Sequence, residues 1–223
     1  MSFPSLRHRV GVVAALLSVG AMAACTGARA TRPLTPAQLA DRDHGIPPYT
    51  TADVAFMQGM IGHHAQAITM SAMAEPNGAG PEVTVLAGRI AVAQTDEIAF
   101  MQSWLRTRKQ DVPQPGDAHA THDTHAGHAG MAMSGTSIGS MPGMLNTAQL
   151  DTLRSSKGAA FDWYFLTYMI QHHRGAISMV DELMQAKGAA QDDDVFKFVS
   201  DVVADQSTEV DRMELMLRKR SRP

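Results

Sequence analysis

The chain has 223 residues and carries 19 Lys and Arg against 22 Asp and Glu, a formal charge of −3, so its balance argues against a nucleic-acid partner. One cysteine excludes a disulfide framework, and 16 methionines outnumber the seven Phe, three Tyr and two Trp combined. About 200 residues, once a leader is set aside, suffice for one domain with a sizeable core.

Residues 1–24 read as a secretory signal. Arg7 and Arg9 precede the apolar run Val10 to Val19, and the small residues Ala21, Ala23 and Ala24 lead to Cys25. The run is shorter than the roughly 20 residues a permanent membrane helix needs. Cys25 directly behind the small residues resembles a bacterial lipoprotein signal, which would lipidate Cys25 and make that anchor the chain's only membrane contact. Met22 stands where such signals carry Leu, and Ala28-Arg29-Ala30 or Ala21-Met22-Ala23 offers an ordinary signal peptidase another route. Both routes predict an extracytoplasmic protein, held at the periplasmic face or cell surface in one case and secreted in the other.

Residues 25–34 read as a tether, and 35–223 as a single domain. Thr35-Pro36 opens a short helix that Gly45-Ile46-Pro47-Pro48 ends. Thr50 with Asp53 three residues on predicts a capping box and a first long helix to about Ala74. After the break at Glu75-Pro76-Asn77-Gly78-Ala79-Gly80, Pro81 starts a second long helix to about Arg108, with Gln94, Glu97, Met101 and Leu105 on one face. Residues 110–144 lack an apolar period and read as a disordered His- and Met-rich connection. His119, His122, His125 and His128, followed by Met131, Met133, Met141 and Met144, form a secondary set of metal donors there, one that would gather only around a bound ion. A solvated linker is the plain alternative. A short helix from Thr147 to about Ser155, a third long helix from Gly158 to Ala186 and a fourth from about Asp193 to Lys219 complete the chain, with no strand pattern. The basic tail Arg218-Lys219-Arg220 complements the dipole of that last helix.

The chain repeats itself. Met60-Ile61-Gly62-His63-His64 returns as Met169-Ile170-Gln171-His172-His173, and Asp53, Phe56, Ala67, Ile68 and Met70 return as Asp162, Phe165, Ala176, Ile177 and Met179. Gln94, Glu97 and Met101 are answered by Gln206, Glu209 and Met213. The two units, residues 35–109 and 145–220, are each a helix hairpin. Two copies suggest a closed structure, since solenoids need at least three. The expected fold is therefore all-α, an antiparallel four-helix bundle built from two repeated hairpins, with a long His- and Met-rich central loop.

At 100° per residue both histidines of each pair fall inside the apolar stripe of their helix. His63 lies near Met60, Ala67 and Met70, and His64 near Met57, Met60 and Ile61; His172 and His173 repeat this beside Met169 and Met179, with Leu166 at the place of Met57. A buried imidazole without a partner costs about 1–3 kcal/mol, so each needs a hydrogen bond or a metal. Gln94, Glu97, Gln206 and Glu209 are candidate hydrogen-bond partners. Imidazole with thioether is also a copper donor set: thioethers suit Cu(I), and imidazole accepts Cu(II) or zinc. Candidate ligands are Met57, Met60, His63, His64, Met70, Met169, His172, His173 and Met179.

The run from Pro48 to Ile68 with its Met-Ile-Gly-His-His, the segment Met141-Pro142-Gly143-Met144, and Met169-Ile170-Gln171-His172-His173-Arg174-Gly175-Ala176-Ile177 resemble a secreted bacterial family, the domain of unknown function number 305. The resemblance implies a ferritin-like four-helix bundle and, by analogy with copper-binding members, periplasmic copper binding through Met60, His63, His64, Met70, Met169, His172, His173 and Met179. The expected function is a non-enzymatic copper-binding protein that buffers, sequesters or transfers the ion. The alternative is an envelope interaction bundle with structural histidines. A haem or di-iron enzyme is the third reading, and its di-iron form lacks the Glu-x-x-His motifs it requires.

Overall fold

The computed structural model describes residues 48–115 and 141–223. The signal and tether, Cys25, the first short helix, and His119, His122, His125, His128, Met131 and Met133 lie outside the described residues. Those described form five helices and no strand: α1 (Thr51–Ala72), α2 (Pro81–Thr107), α3 (Thr147–Ser155), α4 (Gly158–Gln185) and α5 (Asp193–Leu217). None of these helices is long and apolar enough to cross a membrane.

Local sequence sets the helix starts. The Thr50 side chain accepts from the Asp53 N–H at 3.2 Å while Asp53 accepts from the Thr50 N–H at 2.7 Å, the reciprocal pair that satisfies two otherwise orphan donors. Asn146 and Gln149 do the same for α3. Pro81 begins α2, where its missing N–H is harmless. Asp192 caps α5 through the N–H groups of Asp194 and Val195. The long helices stop one or two residues before the expected ends, within the usual fraying of a last turn.

Each long helix packs most extensively on its hairpin partner, α1 on α2 and α4 on α5, and α1 also packs on α4, with α3 lying on α4. Tyr49 before α1 meets Trp104 at the end of α2, ring centroids 5.5 Å apart, so that hairpin is antiparallel. The hairpins are tied to each other reciprocally. Asp53 Oδ1 on α1 accepts from the Ala190 N–H in the second hairpin's loop at 2.7 Å, and Asp162 Oδ1 on α4 accepts from the Gly80 N–H in the first hairpin's loop at 3.0 Å. Both carboxylates are buried, so these bonds offset a desolvation that would otherwise be uncompensated.

Two apolar clusters form the core. One gathers Phe56, Met57, Met60, Ile98, Met101, Met179 and Val199; the other gathers Met70, Leu86, Ile90, Phe165, Met169 and Met213. Between them along the four long helices come His63 and His64, Gln94 and Glu97, His172 and His173, and Gln206 and Glu209. A polar layer thus interrupts the core at mid-height.

The far end of the expected disordered connection is packed. Met141 is buried with the first cluster, and the Gln66 side chain clamps the Leu145 backbone, its amide donating to the carbonyl at 3.0 Å and its oxygen accepting from the N–H at 2.7 Å. Gly143, at φ +76°, lies against Gly175 so closely that a Cβ on Gly175 would sit 2.1 Å from the Pro142 carbonyl oxygen. Long-range contacts of this kind leave no trace in local periodicity, which is why residues 141–144 read as part of the loose segment.

Candidate metal centre

The innermost groups of the polar layer are His63 and His172. Both rings are fully buried, and their centroids lie 3.9 Å apart at 41° across the α1–α4 contact. His63 Nε2 donates to the Pro142 carbonyl at 3.0 Å, a tautomer assigned from that partner, which leaves the Nδ1 lone pair free. Neither ring nitrogen of His172 makes a well-formed hydrogen bond.

Burial lowers the His63 pKa from 6.5 to about 3, helped by the charges His64 and His173 would carry and opposed by the Pro142 carbonyl. His172 is held well below 6.5 by burial first, then by His63, His173 and His64; a weak approach to the His63 backbone works the other way. Both rings are therefore neutral at pH 7. A neutral imidazole with a free lone pair is the form that binds metal, with no proton to displace.

His64 and His173, also fully buried, turn toward α2 and α5. His173 Nε2 is hydrogen-bonded to Glu209 Oε2 at 2.7 Å. His64 Nε2 lies the same 2.7 Å from Glu97 Oε2, off the line of a good hydrogen bond. Glu97 and Glu209 are thus the partners expected for this pair. Gln94 and Gln206 are not: among the described residues their buried side-chain amides have no hydrogen-bond partner.

The methionines divide between the two sides of the layer. Met57, Met60 and Met179 belong to one apolar cluster, Met70 and Met169 to the other. Met141, expected in the loose connection, joins the first: its Sδ would lie 3.3 Å from a Cβ on Gly59, and the Met179 methyl 3.6 Å from the same point. These two thioethers meet over Gly59, one turn before His63. In the sequence this segment is signalled by its share in the family resemblance and by the Pro-Gly between Met141 and Met144, which marks a turn. Among the described residues no three His, Cys, Asp or Glu side chains converge on one point, so a cage of hard donors is not preassembled. Two imidazoles come together, with Met60 and Met169 about one helical turn before them and Met70 and Met179 about two turns after, residue types suited to a soft ion.

The family model described as Domain of unknown function (DUF305) matches residues 53–217, which takes in the four histidines of the polar layer and nearly all of both hairpins. The chain belongs to this family. Among proteins of curated function none matches it. Solved structures of DUF305 proteins do. A protein from Streptomyces coelicolor described as secreted is 25% identical, with a TM-score of 0.61 over 77% of this chain and 94% of that one. A fragment from Deinococcus radiodurans, also 25% identical, gives a TM-score of 0.60 over 78% of this chain and 99% of that one. CopM in its Cu(II)-bound form is 27% identical, with a TM-score of 0.55 over 75% of this chain and 96% of that chain. CopM is also known in Cu(I)-bound and Ag-bound forms, 26% identical to this chain at TM-scores of 0.53.

Proposed function

We propose that this DUF305 protein is an extracytoplasmic copper-binding protein whose cargo is held by His63 and His172 together with thioethers from Met57, Met60, Met141 and Met179 on one side and Met70 and Met169 on the other. The observation that carries the reading is the close pair of neutral imidazoles with unused lone pairs, buried among methionines. Thioether favours Cu(I), and unlike thiolate it survives outside the cytoplasm, where thiols oxidise. The copper- and silver-bound forms of CopM support the same donor chemistry in a related fold.

His64 and His173 fit an orienting role, each pointed by its carboxylate. The four long helices close as a ferritin-like antiparallel bundle around the polar layer, a geometry supported by the antiparallel hairpins and the reciprocal Asp53 and Asp162 ties. The donors His119, His122, His125, His128, Met131 and Met133 form a second, ion-gathered site, and Cys25 carries the lipid that keeps the protein at the membrane surface. Anaerobic titration of the purified chain with Cu(I) against a chromophoric chelator tests the reading. It predicts more than one tightly held Cu(I) per chain and a smaller number in His63→Ala with His172→Ala. A chain that never competes with the chelator refutes it.

A further inference from the structure

A cavity of about 210 Å³ opens between α2 and α5, on the side of the polar layer away from the α1–α4 contact. Glu97, Asp205 and Glu209 line it, with Gln94, Gln206, Ala93 and Thr208, and Arg89 at its exposed rim. Three carboxylates sharing one pocket repel each other. Asp205 is correspondingly harder to ionise than usual, through desolvation first and then through Glu97, Glu209 and Asp201. An acidic patch alone would mean little, but the two glutamines add an independent sign. Gln94 and Gln206 are 2% and 3% exposed, line the same cavity, and among the described residues have neither amide nitrogen nor oxygen hydrogen-bonded. Burying two unsatisfied amides is costly unless something in the cavity completes them.

We propose that this cavity is a separate cation site, which receives a hydrated divalent cation through oxygen donors. The carboxylates do not converge closely enough to cage a bare ion. The cation is instead held with its inner waters, which donate to Glu97, Asp205 and Glu209 and to the amide oxygens of Gln94 and Gln206; hard, oxygen-preferring divalent ions keep such waters. The amide N–H groups bond to further waters, for which the cavity has room. The site also has a way inward. Glu97 touches His64 and Glu209 touches His173, and these imidazoles neighbour His63 and His172, so the carboxylates join the oxygen-lined cavity to the soft interior.

Asp205, Gln94 and Gln206 have no part in the copper reading, so a test through them stands or falls separately. The probe is Mn2+, which is paramagnetic and favours oxygen. In the full ¹⁵N-labelled chain, one equivalent of MnCl2 is expected to broaden the side-chain amide signals of Gln94 and Gln206. Asp205 is exposed, so its replacement leaves the fold intact; Asp205→Asn should raise the Mn2+ needed roughly tenfold, and Asp205→Lys further. Neither change should alter Cu(I) binding. Sharp Gln94 and Gln206 signals at tenfold excess Mn2+, or broadening that both Asp205 variants leave unchanged, would overturn the proposal.

Discussion

His63 and His172 pack against each other, one from each half of the repeated sequence, with ring centroids 3.9 Å apart, planes tilted at 41°, and no ion pair to either among the described residues. Such a pair weakens the fold it sits in, because among the described residues the buried Nδ1 of His63 has no hydrogen-bond partner and neither nitrogen of His172 makes a well-formed hydrogen bond. Replacing an unsatisfied buried polar group by an apolar one of similar size removes that penalty. His172→Leu is therefore expected to raise stability by about 1–2 kcal/mol while lowering Cu(I) affinity. Chemical denaturation of the metal-free variant alongside chelator competition separates the two effects. A loss of stability together with unchanged copper affinity would mark a structural histidine.

Acid should destabilise the metal-free protein through the same two rings. Below pH 6.5 the unfolded chain protonates His63 and His172, whereas folded His63 stays neutral down to about pH 3 and His172 is also depressed. The unfolded state thus binds more protons, and stability falls as pH falls. The contribution of both rings is complete above about pH 6.5 and declines below it, that of His63 until about pH 3, with a slope of up to about 1.4 kcal/mol per pH unit for each ring. Melting curves between pH 7 and 4 should show a shallower decline for His63→Leu with His172→Leu than for the unaltered chain.

Two glycines should separate packing from ligation. A Cβ on Gly175 would meet the Pro142 carbonyl oxygen at 2.1 Å and the Gly143 Cα at 2.5 Å, both backbone atoms that cannot swing away. Gly175→Ala should lift the 141–144 segment off α4 and cost about 2–3 kcal/mol, read as a lower denaturation midpoint and faster proteolysis near Gly143. Gly59→Ala meets only the ends of Met141 and Met179, at 3.3 and 3.6 Å. It should leave stability within about 1 kcal/mol of the parent and change Cu(I) affinity.

The ties between hairpins should be unequal. Asp53 accepts from the backbone and hydroxyl of Thr50 as well as from Ala190, each at 2.7 Å, whereas Asp162 accepts from Gly80 at 3.0 Å and from Arg220 at 3.4 Å. Asp53→Ala is expected to cost about 3 kcal/mol and Asp162→Ala about 1–2 kcal/mol in urea denaturation.

Much of this architecture can be read from the chain. Thr50 with Asp53, and Pro81, announce helix starts through local chemistry, and 3.6-residue periodicity alone turns all four histidines inward, where each is fully buried. Which histidine meets which partner depends on the neighbouring helices. The 100° between His63 and His64 sends one toward α4 and the other toward Glu97 on α2, and Glu97 takes the contact rather than Gln94 a turn earlier. Met141 escapes periodicity altogether, since the bonds that seat its segment include those from His63 to Pro142 and from Gln66 to Leu145, each across 79 positions.

X-ray absorption at the copper edge of the Cu(I)-loaded chain tests the buried mixed-donor site most directly. The spectrum should contain both sulfur and imidazole scattering, and His63→Ala with His172→Ala should remove the imidazole part belonging to the interior site while sulfur remains. A spectrum of oxygen neighbours alone, or one unchanged in the double variant, would contradict copper binding between these two helices.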